Sequence, residues 1–154
     1  MNKATVVTAQ RYHDISCGHR VVGHEAKCRF LHGHNYRIHF ECSAKSLDNL
    51  GRVIDFGVIK TTLCQWLENE WDHKFLVWEQ DSEMNFVFGP SQMLRDSLVW
   101  VPFNPTAENM ALHLLHIVGP RLLINTGVVL VGVKVEETRK CSAEALIPAA
   151  AVLG

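Results

Sequence analysis

The alternation of apolar and polar residues predicts strands toward both ends of the chain. Residues 4–15 are expected to form a first strand, and from 35 to 42 apolar side chains recur at every second position, as in a half-buried strand. The polar stretch from 18 to 29 between them is expected to be a loop or hairpin. Residues 128–135 carry the strongest strand pattern, and a last short strand is expected over 143–147.

Two helices are predicted in the middle of the chain. Asp55 is a suitable N-cap for the first, which should run to about Trp71 because apolar residues recur there at helical spacing. Thr106 can cap the second, and Gly119-Pro120 is expected to end it. Because strands precede and follow the two helices, the order predicts an α+β fold with both helices on one face of an antiparallel sheet.

The segment between the two helices is harder to assign. Two prolines interrupt residues 77–103, and only 98–101 has the pattern of a short strand. We find no internal repeat or linker in the sequence, so residues 1–154 are expected to form one domain.

Composition narrows the class of protein. The chain has 47% hydrophobic and 20% charged residues and a formal net charge of −1, so electrostatics favour neither a nucleic acid nor an anionic membrane surface as partner. The first ten residues have no apolar signal core, and no run has the length of a membrane span. Five cysteines without a disulfide spacing fit a reducing compartment, so the cytoplasm is the expected location.

Nine histidines are the unusual feature of the composition. His32 and His34 lie two apart where a loop becomes a strand, so their side chains should point to the same side and be able to bind one ion. His19 is the best third ligand. Three neutral imidazoles suit Zn²⁺ and leave a fourth position open, as a catalytic zinc requires.

Several segments, in this order, resemble the 6-pyruvoyltetrahydropterin synthase and 6-carboxytetrahydropterin synthase family. The motif from Cys28 to Tyr36, C-R-F-L-H-G-H-N-Y, carries most of the resemblance. The other matching segments are G-H-R-V at 18–21, V-I-D-F at 53–56, D-H at 72–73, N-P-T-A-E-N at 104–109 and E-T at 137–138.

The resemblance implies a fold and a set of site residues. The fold would be the tunnelling fold, whose antiparallel sheet and two helices assemble into a β-barrel ring, with a homo-hexamer as the expected state. The metal would be Zn²⁺, held by His19, His32 and His34. The implied catalytic residues are the thiol Cys28 and the dyad Asp72 and His73, and the implied substrate-binding residues are Glu137, Thr138 and Glu108.

The short spacing between Cys28 and the first histidine of the H-G-H motif resembles the bacterial 6-carboxytetrahydropterin synthases. The resemblance implies conversion of 7,8-dihydroneopterin triphosphate to 6-carboxy-5,6,7,8-tetrahydropterin, with release of acetaldehyde and triphosphate, in queuosine biosynthesis. Two alternatives stay open. One is a 6-pyruvoyltetrahydropterin synthase, which eliminates triphosphate, and the other is a zinc- and pterin-binding module without turnover.

The residues are compatible with this chemistry, with some departures from the family pattern. A thiol close to a bound cation has a lowered pKa, so Cys28 is suited to proton transfer. Lys74 stands where the bacterial enzymes commonly have a second histidine, so His73 alone would fill the dyad role. Arg20, Lys27 and Arg29 are all candidates for binding the triphosphate, and the sequence does not choose among them.

Overall fold

A six-stranded sheet forms the centre of the molecule. The computed structural model describes residues 5–87 and 89–153. Along the sheet the strands follow the order β4-β3-β1-β2-β5-β6. Their bounds are Thr8–His19 (β1), His32–Ala44 (β2), Lys74–Trp78 (β3), Leu98–Val101 (β4), Val128–Glu136 (β5) and Ser142–Leu146 (β6).

The hairpin of β1 and β2 is the longest pairing in the sheet, and it extends further than the sequence pattern predicted. The two strands are antiparallel and pair from Thr8↔Ser43 to His19↔His32. Residues 18 and 19, predicted to lie in a loop, therefore belong to β1. Of the predicted 4–15 strand, residue 4 lies outside the described residues.

Two long helices cover one face of the sheet, as predicted. The first spans 56–70 (α1) and contains a π turn at Lys60–Cys64, and the side chain of Asp55 accepts a hydrogen bond from the amide of Gly57 at its start. The last spans 107–122 (α4) and contains a π turn at Leu114–Val118, with Thr106 as its N-cap.

The prediction that Gly119-Pro120 ends the last helix is wrong. The helix continues to Leu122, and Gly119 is needed for another reason: a Cβ there would collide with the side chain of Leu130 on β5. The preceding π turn already interrupts the regular hydrogen-bond ladder at the point where Pro120 enters the helix.

The segment between the two long helices contributes β3 and β4, which add parallel pairing to the sheet. β3 runs parallel to β1 and β4 parallel to β3, so the sheet is not purely antiparallel as predicted. The connection between β3 and β4 holds two short helices, Met84–Val87 (α2) and Gln92–Asp96 (α3). Such a crossover is what parallel pairing requires. The predicted strand at 98–101 is confirmed as β4.

The core lies between the sheet and the two long helices. Alternate residues of β2, such as Tyr36, Ile38 and Phe40, are fully buried against Leu63 of α1 and its neighbours. A short helix, Ala149–Leu153 (α5), follows β6 and had no counterpart among the predicted elements. Among the described residues, no helix has the length and apolar character needed to cross a membrane. The α+β class with two helices on one face is confirmed.

Candidate active site

Three histidines meet on the helix side of the sheet, at one end of the β1–β2 hairpin. His32 and His34 follow the core-facing alternation of β2, and His19 is the direct cross-strand partner of His32. Their ring centroids are 4.6, 4.9 and 5.2 Å apart. One ring nitrogen from each lies within 4.8 Å of the others, which is compatible with a shared metal ion. The structure thus brings together the three ligands proposed from the sequence.

Backbone carbonyls orient two of the rings. Nδ1 of His19 lies 2.6 Å from the carbonyl oxygen of Pro105, and Nδ1 of His32 lies 2.7 Å from that of Phe30. Because a carbonyl only accepts, Nδ1 donates in both pairs, and Nε2 of each ring is the unprotonated nitrogen with a lone pair. This arrangement of a ring fixed through its other nitrogen is typical of metal-bound histidine.

The third histidine carries an unsatisfied atom. Nε2 of His34 is buried and has no hydrogen-bond partner, the only such side-chain atom in the described part of the chain. Oε1 of Glu137 lies 3.5 Å from it, without hydrogen-bond geometry, and 3.4 Å from Nε2 of His19. Buried polar atoms are nearly always satisfied, so an unpaired imidazole nitrogen facing two others fits a metal ligand.

Burial favours the neutral form of two of the three histidines. Desolvation lowers the pKa of His19 and of His34 below the usual value, against the opposing effect of the Glu137 carboxylate. Metal ions bind the neutral form of imidazole, so these two rings are in the form that a metal requires.

Tyr36 belongs to the same site and was not singled out from the sequence. Its side chain is fully buried, and its hydroxyl lies 3.2 Å from Nε2 of His19, to which it donates. Burial, together with the Glu137 carboxylate, raises the pKa of Tyr36 far above its usual value, so the hydroxyl keeps its proton. The signal was available: Tyr36 is two positions after His34 and therefore faces the same side of β2.

A cavity of about 320 Å³ opens beside the histidines on the helix side, and we call it the thiol cavity. Two of the residues proposed for substrate binding, Glu108 and Glu137, line it together with the proposed catalytic Cys28. Cys28 is partly buried on the short 3-10 turn Lys27–Arg29. Other residues around the cavity include His24, Thr106 and Cys141. No functional role was predicted for His24 from the sequence.

The proposed dyad lies elsewhere. Nδ1 of His73 donates to Oδ2 of Asp72 over 2.7 Å, and the amide of Ser16 donates to Oδ1 of Asp72 over 2.9 Å. His73 is 81% exposed and has a positive φ of 58°. Burial alone would raise the pKa of Asp72, but the hydrogen bonds from Ser16 and His73 outweigh it, and the pKa is lowered.

Both dyad residues line a cavity of about 670 Å³ on the face of the sheet that turns away from the helices, the outer cavity. Its other residues include Asp14, Asn35, Arg37 and Glu136. Thr138, proposed to bind substrate, also lines the outer cavity, and its hydroxyl accepts hydrogen bonds from the amides of Lys140 and Cys141. In the described part of the chain, Cys28 lines neither this cavity of Asp72, His73 and Thr138 nor the cavity of about 380 Å³ that His73 and His34 both line.

Of the three basic residues considered for the triphosphate, Arg20 is already paired. It forms a two-pronged ion pair with Asp81, and Glu83 lies 3.3 Å away. Arg29 donates to the carbonyls of Glu25 and Ala26, and Lys27 is exposed.

The family model described as 6-pyruvoyl tetrahydropterin synthase matches residues 8–146. The chain belongs to this family. The resemblance found in the motifs is therefore confirmed over nearly the whole chain.

Curated relatives in the family carry the other enzyme name. The chain is 34% identical to the 6-carboxy-5,6,7,8-tetrahydropterin synthase of Rickettsia typhi over 139 residues, 90% of this chain and 99% of the relative. The enzyme of the same name from Rickettsia felis is also 34% identical over the same shares of both chains. The Haemophilus influenzae enzyme matches at 32% over 96 residues, 60% of this chain and 68% of the relative.

Solved structures agree with the family fold. An uncharacterized protein from Wolinella succinogenes superposes with a TM-score of 0.80 at 23% identity, covering 94% of this chain and all of the other. The 6-pyruvoyl tetrahydropterin synthase of Caenorhabditis elegans superposes with a TM-score of 0.65 at 21% identity, covering 96% and 100% of the two chains. At these identities the likeness establishes the fold of this family member.

Proposed function

We propose that the protein is a cytoplasmic, zinc-dependent carbon–carbon lyase of queuosine biosynthesis. It would convert 7,8-dihydroneopterin triphosphate to 6-carboxy-5,6,7,8-tetrahydropterin with release of acetaldehyde and triphosphate. The relatives named 6-carboxy-5,6,7,8-tetrahydropterin synthase support this choice of product. The observation that carries the proposal is the histidine cluster with its unpaired His34 Nε2. Glu137, whose carboxylate lies 3.4 and 3.5 Å from two of these histidines, also lines the cavity that contains the thiol.

The residues divide between holding the metal and handling the pterin. His19, His32 and His34 would hold Zn²⁺, which, when bound, polarises substrate oxygens and acidifies neighbouring protons. Glu137 and Glu108 line the thiol cavity and present carboxylates, which can accept paired hydrogen bonds from the amino group and ring N–H of a pterin. Cys28, in the same cavity, is the proposed base that moves a proton on the substrate side chain.

The dyad requires a further proposal, because it opens onto the other face of the sheet. We propose that Asp72 and His73 act in a site completed by a neighbouring subunit. Nδ1 of His73 is held by Asp72, so Nε2 of this highly exposed ring is free to exchange a proton with a group outside its own chain.

Two open sheet edges support assembly. β3 pairs with β1 only at Cys17 and Gly18, so within the described residues the side of β1 opposite β2 has no paired strand over 8–15. β6 is the edge strand on the opposite side of the sheet. Exposed edges favour pairing with another chain, and two edges on opposite sides can close a ring. We propose a homo-oligomeric ring, a hexamer by family resemblance.

Light scattering tests the assembly. The expected mass is a multiple of the chain's 17.4 kDa, and six chains would give the hexamer. Glu144→Pro should reduce that mass. The amide of Ile147 donates to Val131 on β5, and amides alternate in direction along a strand, so the amide of residue 144 points away from β5, where a neighbouring chain would pair. Proline lacks the amide hydrogen that such pairing would use. A parent protein that stays monomeric at working concentration would contradict the ring.

Product analysis is the decisive test of the activity. The zinc-loaded protein is incubated with 7,8-dihydroneopterin triphosphate, and acetaldehyde, triphosphate and pterin products are measured. Acetaldehyde with a 6-carboxy pterin is the expected result. Triphosphate without acetaldehyde, and a pyruvoyl side chain, would indicate the 6-pyruvoyltetrahydropterin synthase reaction. Binding of the pterin with no product would indicate a zinc- and pterin-binding module.

A further inference from the structure

Arg20, the residue after His19, forms an ion pair with a buried carboxylate, that of Asp81. Nε and a terminal nitrogen of Arg20 donate to the two carboxylate oxygens of Asp81 over 2.6 and 2.5 Å. Asp81 is only 3% exposed and is the one buried acidic residue in the described part of the chain. Two parallel bonds between a guanidinium and a carboxylate fix both position and orientation.

The pair connects the end of β1 to the segment that follows β3. Arg20 follows His19, the last residue of β1. Asp81 follows β3, in the segment that leads to α2, and its own carbonyl accepts a bond from the amide of Met84. The ion pair therefore ties the end of the metal-binding strand to the crossover segment.

Each residue from 19 to 22 has a hydrogen bond to another segment of the chain, and for three of them that segment is distant in the sequence. The His19 ring donates to Pro105, and the amide of Val21 donates to the carbonyl of Cys28 over 2.8 Å. Val22 exchanges two bonds with the side chain of Asn104, of 3.0 and 2.9 Å. Among these anchors, the bond from Arg20 to Asp81 is the only one between two charged side chains.

The strand needs such anchoring at this point. Gly18 and Gly33 are cross-strand partners, and this pair lies next to the pair of His19 and His32. A Cβ at Gly18 would overlap the ring of Phe75, so glycine is required there for close packing. Glycine also gives the backbone more freedom, and two facing glycines would leave the ligand pair at the end of the hairpin weakly constrained.

Stability alone does not account for the pair. Burying the Asp81 carboxylate costs desolvation free energy that its attraction to Arg20 roughly offsets, so the pair is weak evidence for a stabilising role. Glu83 lies 3.3 Å from the same guanidinium, so two carboxylates fix its position. A side chain fixed in this way, next to a metal ligand in the sequence, is suited to holding that ligand in place.

We propose that Asp81 is a positioning residue of the metal centre, which acts through Arg20 to hold His19, and the backbone next to Cys28, in binding geometry. The inference rests on the proposed zinc site. It gives a function to the crossover segment and removes Arg20 from the candidates for binding triphosphate.

The test measures how fast the zinc-loaded full chain releases zinc to a chromophoric chelator. In Asp81→Asn, release should be about 10-fold to 100-fold faster, the range seen when groups that orient ligands are removed. The absorption bands of the Co²⁺-substituted variant should also shift, because they report ligand geometry. Arg20→Lys keeps the charge but loses the two-pronged geometry, so it should release zinc at an intermediate rate.

A matched control separates positioning from general loss of stability. Leu123 is buried near the end of α4 and lines no cavity with the histidines, so Leu123→Ala should lower the melting temperature yet release zinc at the parent rate. Parent-like release and an unchanged Co²⁺ spectrum in Asp81→Asn would overturn the proposal. Should that variant not fold, a parent-like rate in Arg20→Lys overturns it equally. A parent chain that binds no zinc would instead refute the metal centre itself.

Discussion

The two faces of the β1–β2 hairpin differ in whether their polar side chains have hydrogen-bond partners. On the outer face the charges are paired: Arg37 donates to Asp14 over 2.8 and 3.0 Å, and His39 lies 3.0 Å from Glu136. On the helix face, at the same end of the hairpin, Nε2 of His34 is buried without a partner. Both faces come from the same two strands, and alternation alone separates their residues.

The difference indicates where a ligand is expected. Groups that already satisfy one another have little to gain from a ligand, whereas an unsatisfied buried group gains a partner and loses its desolvation penalty. His73 is the exception on the outer side, since Asp72 satisfies one nitrogen and leaves the other exposed. Two residues of the same type, of which only one is proposed to act in the site, therefore provide a variant and its matched control.

The largest effect is expected from His34, compared with His39 on the same strand. His34→Ala should lose most of its zinc and its turnover while keeping the fold, because two ligands do not hold a catalytic zinc firmly. His39→Ala makes the same chemical change on the outer face and should keep about one zinc per chain. Metal analysis and circular dichroism check both, and full zinc occupancy in His34→Ala would remove it from the ligand set.

Two cysteines of the thiol cavity form the next pair. Cys28→Ala should retain zinc and pterin binding but lower kcat by at least ~10²-fold, the contribution of a positioned acid–base group. Cys141 lines the same cavity and is exposed, and Cys141→Ala should keep most of the activity. Steady-state kinetics decide between them. Parent-like turnover in Cys28→Ala would show that the thiol is not the base.

Two aspartates of the outer cavity test the dyad. Asp72→Asn should lower kcat by about 10-fold to 100-fold with zinc retained, because it removes the charge that holds and stabilises His73. Asp14→Asn, in the same cavity but paired with Arg37, should leave kcat within a few-fold. Equal losses in both variants would point to a general disturbance of the outer face.

The adjacent glutamates at the end of β5 separate binding from support of the sheet. Glu137→Gln should raise KM by about 10-fold, the value of a hydrogen bond to a charged group, with a smaller loss of kcat. Glu136 bonds to His39 on the outer face, and Glu136→Gln should leave KM unchanged. An unchanged KM in Glu137→Gln would exclude it as the pterin anchor.

The smallest effect concerns stability in acid. The hydrogen bond from Arg37 lowers the pKa of Asp14, and that from His39 lowers the pKa of Glu136. A carboxyl whose pKa is depressed by folding stabilises the protein above its unfolded pKa and loses that contribution as the pH falls. Melting temperatures between pH 5 and 3 should therefore fall less in Asp14→Asn than in the parent, by a small amount since the pair is exposed.

Much of the fold followed from local patterns. Alternation in 35–42 and helical spacing after Asp55 and Thr106 are determined by nearby residues, and the elements formed as predicted. The parallel pairing of β3 with β1 depends instead on contacts between distant segments, which no local period encodes. The same limit explains Gly119, whose neighbour Leu130 belongs to another element.

In the candidate site too, local patterns identified some residues, whereas contacts between distant segments could not be predicted. Strand parity was enough to place His32 and His34 side by side, and it would also have identified Tyr36. The ion pair of Arg20 with Asp81 joins residues far apart in the sequence, so Arg20 resembled a free cation. That Asp72 and Cys28 occupy different cavities depends on which face of the sheet each segment reaches.

The parallel attachment of β3 has a consequence for the order of folding. The β1–β2 hairpin joins segments that are close along the chain, whereas the bond from the amide of His73 to Ser16 closes a much longer loop. Contacts that close long loops form later, because closing the loop costs more chain entropy before the contact contributes favourable free energy. In pulse-labelled hydrogen exchange, the hairpin amides should therefore become protected before that of His73, so His19 and His32 would be paired across the hairpin before the proposed dyad is in place.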